Sequence, residues 1–451
     1  MRKRRRWGTV LVASALVLAG CTSESGDDDA QGDGIDTGSD APAGDGEPGA
    51  ADAQGITDDT IRISLIASDL STLSEQNLAP EIGSATDTLE AVIADINDNG
   101  GVLGRRIELV PHVIAGADAA INPDAGRQAC LEATEDDEPF AVIITAAISA
   151  ETVECAARYE NALTITMDSW PDSFYEKAEG RLFSVATHTS VGRQREYRAW
   201  PDVLDEQGVL EGKTIGIVRI DSAEQQEAVE EGLVPGIEDL GYEIAAVSVL
   251  PCPEGSLPTG CQQHDVAIQR LQDAGVDFVF LTALTLAGSA TVEAAANLGF
   301  EPEWATIGNN VTDTVARFFV NAKENYDGAW GLDTVFLDST DSTAECNEIA
   351  VAGGAEEFEP GSDGYGYTAV TCLQLLNLVD AIEAAGEAGS VTKASVIEAF
   401  ESFTTLEMAS GPEGSLGPGK HDAGDYVFLS RYSAETESWA PVDGATPIEV
   451  E

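Results

Sequence analysis

TIRISLIASD (Thr60–Asp69) and AVIADINDNGGVLGRRIELV (Ala91–Val110) decide the fold. In the first piece Ile61, Ile63 and Leu65 alternate with polar residues, which predicts a strand entering a core. Leu89, Val92, Ile93 and Ile96 recur at helical spacing and share one face, with Glu90 and Asp95 off it. Asn99-Gly100-Gly101 ends that helix, since glycine and asparagine accept the left-handed backbone other residues resist. Gly104 permits a further bend, and Ile107-Glu108-Leu109-Val110 starts a second strand. A strand–helix–strand unit, repeated, builds a parallel sheet covered by helices on both faces.

The segment INDNGGVLGRRIELV (Ile96–Val110) resembles the first helix and second strand of the leucine/isoleucine/valine-binding family, the type I periplasmic solute-binding proteins. The resemblance runs from about Ile56 to Val442. It rests on the order of several loose motifs, which are specific for fold and role and poorly specific for ligand. It implies an α/β protein of two doubly wound parallel-sheet lobes joined by crossing hinge segments. On this reading residues 56–188 and 329–415 form lobe 1, and 189–328 and 416–451 form lobe 2. Tyr326–Phe336 reads as the strand returning to lobe 1.

The length of 451 residues also favours two lobes over one core, and 43% hydrophobic residues suffice to fill them. Eighty acidic against 23 basic residues give a net charge of −57. Such a surface repels nucleic acid and anionic lipid headgroups. Five of the basic residues (Arg2, Lys3, Arg4, Arg5, Arg6) lie at the extreme N-terminus. Val10–Leu18 follows, an apolar run too short to span a bilayer but suited to a signal peptide. Leu18-Ala19-Gly20-Cys21 then reads as a lipobox. Residues 1–20 are expected to be removed and Cys21 to carry the lipid anchor. Residues 21–55 have almost no large apolar side chain and read as a disordered tether.

Six cysteines remain: Cys130, Cys155, Cys252, Cys261, Cys346 and Cys372. An even number in an exported chain points to disulfides. Sequence alone does not choose the pairing; neighbours are the expectation, Cys130–Cys155, Cys252–Cys261 and Cys346–Cys372. No C-x-x-C occurs, and His112, His188, His264 and His421 are scattered, so neither a metal site nor another cofactor is expected.

Phe140–Thr145 (FAVIIT) reads as a buried strand, after a polar loop over Glu135–Pro139. Ser149 then stands as N-cap of a helix over Glu151–Tyr159. The resemblance implies that this turn grips a ligand through Ala147, Ser149 and Thr152, and exposed N–H groups with the helix dipole suit an oxygen acceptor there. Leu163–Met167 is the next strand. Asp168, Ser169 and Trp170 follow at its C-terminal end, where open α/β sheets place ligands. Trp170 reads equally as a wall of the site or as a core aromatic. In lobe 2 the resemblance puts contacts at turns including Gln225, Leu284, Asn309 and Asn310.

Two departures bear on the ligand. Asn309-Asn310 stands where amino-acid binders of the family carry an acidic residue, and a neutral amide is a poor partner for a buried cation. The branched-chain binders' tyrosines near Leu284 and Gln225 are also missing. Asp221 or Asp313 would have to take the acidic role. No G-x-S-x-G, H-E-x-x-H or nucleotide fingerprint occurs, so no enzyme is expected. The expected role is a monomeric, lipid-anchored receptor on the outer face of a bacterial cell membrane. It would capture a small polar solute and serve the permease and ATPase subunits of an ABC importer. A ligand-sensing ectodomain is the alternative, and an exported hydrolase a third reading without a catalytic set.

Overall fold

The computed structural model describes residues 53–75, 79–116, 118, 122–145, 148–187, 191–252, 260–283, 285–307, 321–333, 340–409, 411–442 and 446–450. All lie in the compact unit of residues 48–451. The deciding stretch forms β1 (Thr60–Asp69), α1 (Ala85–Asp98) and β2 (Arg106–Ala115). β1 and β2 pair in parallel from Thr60–Arg106 to Asp69–Ala115. Behind α1, the Gly101 N–H donates to the Ile96 carbonyl (2.9 Å) at a φ of 72°. A Cβ on Gly101 would lie 2.0 Å from the Arg105 carbonyl oxygen. Glycine is required there both for its backbone and for the close return of the chain.

Three more strands complete the first sheet: β3 (Ala141–Ile144), β4 (Leu163–Thr166) and β5 (Leu182–Ser184). The order is β2-β1-β3-β4-β5, parallel throughout. Helices α2 (Pro123–Leu131) and α3 (Ala150–Arg158) cover one face, where Val142 and Ile144 meet Cys130 and Val153. Ala141 and Ile143 point to the other face, against Leu89 of α1. Coverage on both sides explains why β3 is apolar and why β3 and β4 are both buried along their length. Glu132–Asp136 is a π-helical turn continuing α2, where the sequence reads as approaching a loop.

The chain then passes α4 (Asp172–Lys177) and β5 and enters the second lobe at α5 (Arg193–Glu206). There follow β6 (Ile215–Ile220), α6 (Ala223–Ala228), a π turn, α7 (Val234–Asp239), β7 (Ile244–Leu250), α8 (His264–Asp273), β8 (Phe278–Leu281), α9 (Thr285–Asn297) and β9 (Glu303–Ile307). β10 (Trp330–Asp333) is parallel to β9 and antiparallel to β11 (Tyr426–Ser433), which pairs with β12 (Ser438–Pro441) as a closing hairpin. The second sheet is therefore mixed, in the order β7-β6-β8-β9-β10-β11-β12.

The strand in Tyr326–Phe336 thus does not return to lobe 1 as its sequence position suggests. Trp330 and Leu332 pack with Ile307 and Leu429 in the second core, so the return lies beyond Asp333. Helices α10 (Asp341–Ala352), α11 (Asp363–Ala388) and α12 (Lys393–Glu401) belong to lobe 1. α11 is long and apolar enough to cross a membrane, but it is the central core helix here, with Leu373, Leu375, Leu378 and Ile382 buried. The last crossing also comes later than expected, because Leu416 and Ala423 still pack in the first core.

At that crossing, residues 421–423 run beside β5: Ser184 N–H donates to His421 O and Ala423 N–H to Ser184 O, each 2.9 Å. Asp422 accepts from the Gly192 N–H (2.6 Å) and pairs with Arg195, both at the start of lobe 2. The disulfides are Cys130–Cys155 between α2 and α3, Cys252–Cys261 around the loop after β7, and Cys346–Cys372 between α10 and α11.

Candidate functional site

Parallel pairing aligns the C-terminal ends of the strands in each lobe. Ile144 of β3 lies beside Ile66 of β1 and Thr166 of β4, so the turns that follow them are neighbours. In lobe 2, Val218 of β6 lies beside Leu281 of β8, which aligns the turns leading to α6 and α9. Such rows of turns are where open α/β sheets bind ligands.

Ser149 occupies the N-cap position of α3 with extended backbone, but its hydroxyl does not cap the helix. That corrects the cap expected from sequence. The hydroxyl lies 3.0 Å from Thr152 Oγ1, and the Thr152 N–H is taken instead by the Ser149 carbonyl (3.1 Å). Thr152 is fully buried against α2, where Gly126 makes room: a Cβ there would meet Thr152 Oγ1 at 2.1 Å. At the end of β3 the Thr145 hydroxyl is buried without a partner.

In the neighbouring turn, Asp168 N–H and Trp170 Nε1 both donate to Thr166 Oγ1, at 3.3 and 3.4 Å. Trp170 stacks on Phe174 with ring centroids 5.2 Å apart and packs in the core below the sheet end. Ser169 is buried, and its carbonyl accepts from Arg193 Nη2 (2.9 Å). Burial pushes the Asp168 carboxyl up to about 6 against the opposing pull of Arg193. On α5 the Glu196 carboxyl is pushed up to about 7 by the same cause, again opposed by Arg193.

Across the junction, Ser222 caps α6 by accepting from the Gln225 N–H (3.3 Å). Gln225 is 1% exposed. Its Oε1 accepts from the Tyr197 hydroxyl (3.4 Å), and its Nε2 is buried with no partner. Two residues on, Glu227 accepts from Ser173 of α4. The structure thus brings the helix of Gln225 against the start of α4, directly after the turn of Asp168, Ser169 and Trp170. Ala147, Leu284, Asn309, Asn310, Asp313, His188 and Cys21 lie outside the described residues.

Sequence reasoning passed over Thr145, Arg193, Gln194, Glu196 and Glu227. A signal existed in α5. Tyr197, Trp200, Val203 and Leu204 form its buried stripe, and Gln194 and Glu196 are polar residues within that buried set. Polar groups on a buried face are the informative exceptions. The described histidines are paired: His112 with Asp137, His264 with Thr291 and the Cys261 carbonyl, His421 with Glu401. Among the described residues no group of His, Cys, Asp and Glu is arranged to hold a metal ion.

A family model described as periplasmic binding protein matches residues 70–436. The chain belongs to this family. Periplasmic binding proteins of this kind bind small molecules, work with ABC transporters and act outside the cytoplasm; they are not an enzyme class. A comparison with curated proteins finds no match. Among solved structures, the fold is similar to a fatty acid ABC transporter substrate-binding protein from Thermomonospora curvata (TM-score 0.60, 16% identity, 88% of this chain and 94% of that one). It is also similar to a leucine-binding protein from Thermotoga maritima (0.61, 15%, 86% and 99%). A third is a solute-binding protein of an ABC transporter from Rhodopseudomonas palustris in complex with 3,4-dihydroxybenzoic acid (0.59, 15%, 87% and 99%). At these identities the likeness establishes the fold, the type I periplasmic binding protein architecture.

Proposed function

We propose that this periplasmic binding protein is anchored to the outer face of the cell membrane through a lipid on Cys21 and captures a small polar solute between its lobes for an ABC importer. The solute class is an amino acid, an amide or a related small acid. The observation that carries the reading is a pair of unused buried groups in different lobes, Thr145 Oγ1 just past the end of β3 and Gln225 Nε2 in the first turn of α6. Leaving a buried polar group unpaired costs about 1–3 kcal/mol. A solute that brought oxygen acceptors to these groups would recover that cost on binding. Ser149, Asp168 and Ser169 from lobe 1, and Ala147, Leu284, Asn309 and Asn310 from the remaining turns, complete the proposed set. The neutral Asn309-Asn310 favours a solute without an ammonium group over leucine or valine. The reading is supported by the solute-binding protein from Rhodopseudomonas palustris, which has a similar fold and was solved in complex with 3,4-dihydroxybenzoic acid.

The test is a thermal-shift screen of the chain from Thr22 onward against amino acids, amides, small aromatic acids and fatty acids. A ligand that binds only the native state raises the melting temperature by mass action. Stabilisation by an amide or small acid is the expected result. Strong stabilisation by leucine or valine would overturn the Asn309-Asn310 argument. No shift with any solute would overturn the receptor reading.

A further inference from the structure

The lobes are tied together at a second place besides the crossing segments. Glu227 of α6, in lobe 2, accepts from the Ser173 N–H (3.0 Å) and the Ser173 hydroxyl (2.6 Å) of α4, in lobe 1. The same carboxylate accepts from Gln194 Nε2 of α5 (2.7 Å). Gln194 Oε1 in turn accepts from the Asp172 N–H (3.0 Å), so the amide and the carboxylate grip the first residues of α4 together. Beside them, the Arg193 N–H donates to the Trp170 carbonyl (3.3 Å) and its guanidinium to the Ser169 carbonyl. Everything gripped on the lobe 1 side lies in residues 169–173, the turn that also carries the proposed ligand contacts.

The setting of Glu227 works against the tie. Asp172, Glu176, Glu230 and Glu231 line the same groove. Burial first, then the charges of Asp422, Glu227, Glu176 and Glu231, hold the Asp172 carboxyl above its ordinary range. Like charges drawn together as the lobes approach repel, and mobile cations screen that repulsion. Hydrogen bonds to a charged acceptor are the strong kind, and they pull the other way.

We propose that Glu227, through Ser173 and Gln194, is an interlobe latch that positions the Asp168–Trp170 turn against lobe 2 and whose closure is strengthened by cations. Glu227 is a positioning residue: it holds the turn and touches no solute. The inference rests on the two-lobe receptor reading, but its test needs no solute, so the two fail separately.

The experiment measures interlobe distance by spin labels in the full chain. Labels are attached through Glu90→Cys on α1 and Glu238→Cys on α7, both exposed positions, with Cys21→Ser so that only the introduced thiols react. Glu227→Ala should move the distance distribution to longer values and broaden it. Glu227→Gln should keep the short distance, because the amide still accepts from the Ser173 N–H and its NH2 can donate to the Ser173 hydroxyl. Ser173→Ala, which removes one hydrogen bond and little else, should give a smaller shift in the same direction as Glu227→Ala. Added KCl should narrow the unsubstituted distribution and act more weakly on Glu227→Gln, where Asp172, Glu176, Glu230 and Glu231 still repel; a distribution that KCl leaves unchanged in the unsubstituted chain would overturn the cation dependence. Distributions for Glu227→Ala and Ser173→Ala that match the unsubstituted chain would overturn the latch. So would a Glu227→Gln chain as open as Glu227→Ala. If Glu227→Ala does not fold, Ser173→Ala decides alone.

Discussion

Ser149 and Ser222 occupy the same place in the two lobes. Each follows a parallel strand, each has extended backbone, and each is the N-cap residue of the next helix. Their hydroxyls do different things. Ser222 closes its helix by accepting from the Gln225 N–H, while Ser149 turns to Thr152 and leaves its helix uncapped by any side chain. The difference originates three residues on. Lobe 1 has a threonine there, pressed against Gly126, and its hydroxyl competes for the serine. Lobe 2 has Gln225, whose side-chain oxygen accepts from the Tyr197 hydroxyl and makes no claim on the serine. The same residue in the same topological position therefore serves stability in one lobe and stays available in the other.

The largest test of this contrast is Gly126→Ala. The new methyl group would drive Thr152 off its seat and move the start of α3, and overpacking of this kind costs about 2–3 kcal/mol. The midpoint of urea unfolding should fall while the slope stays constant. A stability unchanged within error would mean that the α2–α3 contact does not set the turn.

Glu196 is where the contrast is most open to breaking, because lobe 2 here buries a carboxyl without using it for a cap. Its folded value of about 7 stands above the reference of 4.5. The folded state therefore holds the proton more tightly. The resulting stability is complete below about 4.5, drains away as pH rises, and is gone above about 7. Glu196→Gln should raise the melting temperature at pH 8, by an amount equivalent to roughly 3 kcal/mol, and give no gain near pH 4. An equal gain at both pH values would sink the assignment.

Ser222→Ala should cost about 1 kcal/mol, the usual worth of an N-cap. It should leave the affinity for a solute found in the thermal-shift screen within about twofold, since that hydroxyl is already spent. Ser149→Ala should show the reverse. Its stability cost should be a few tenths of a kcal/mol, with affinity weakened by up to about tenfold. Calorimetric titration and urea unfolding on both variants decide the matter. Equal stability costs would erase the distinction between the two serines.

Periodicity made the first βαβ unit legible, because every signal in it is local. Strand alternation, helical spacing and the Asn99-Gly100-Gly101 stop sit within one continuous stretch. Trp330–Asp333 shows where such reading ends. A four-residue strand does not encode its neighbours, and its partners come from β9 and from β11, about a hundred residues away in the chain. Ser149 shows the same limit at a finer scale. A serine before a helix is a cap in most settings, and only the packing of Gly126 on Thr152 redirects it. The tie between Glu227 and Ser173 pairs residues 54 apart, and no local pattern marks it. The buried polar positions of α5 were the one trace of the junction left in the sequence.

The disulfides carry a consequence for how the molecule is made. Their partners are separated by 25, 9 and 26 residues, and each bond stays inside one lobe. None straddles a passage of the chain from one half to the other. As the polypeptide emerges outside the cytoplasm, each bond can close within the segment already delivered, without waiting for later sequence. Oxidation then sets the rigidity of each half as a separate body and places no covalent limit on the travel between them. A reductant should accordingly soften the halves individually, while the range of their relative motion stays under the control of non-covalent contacts alone.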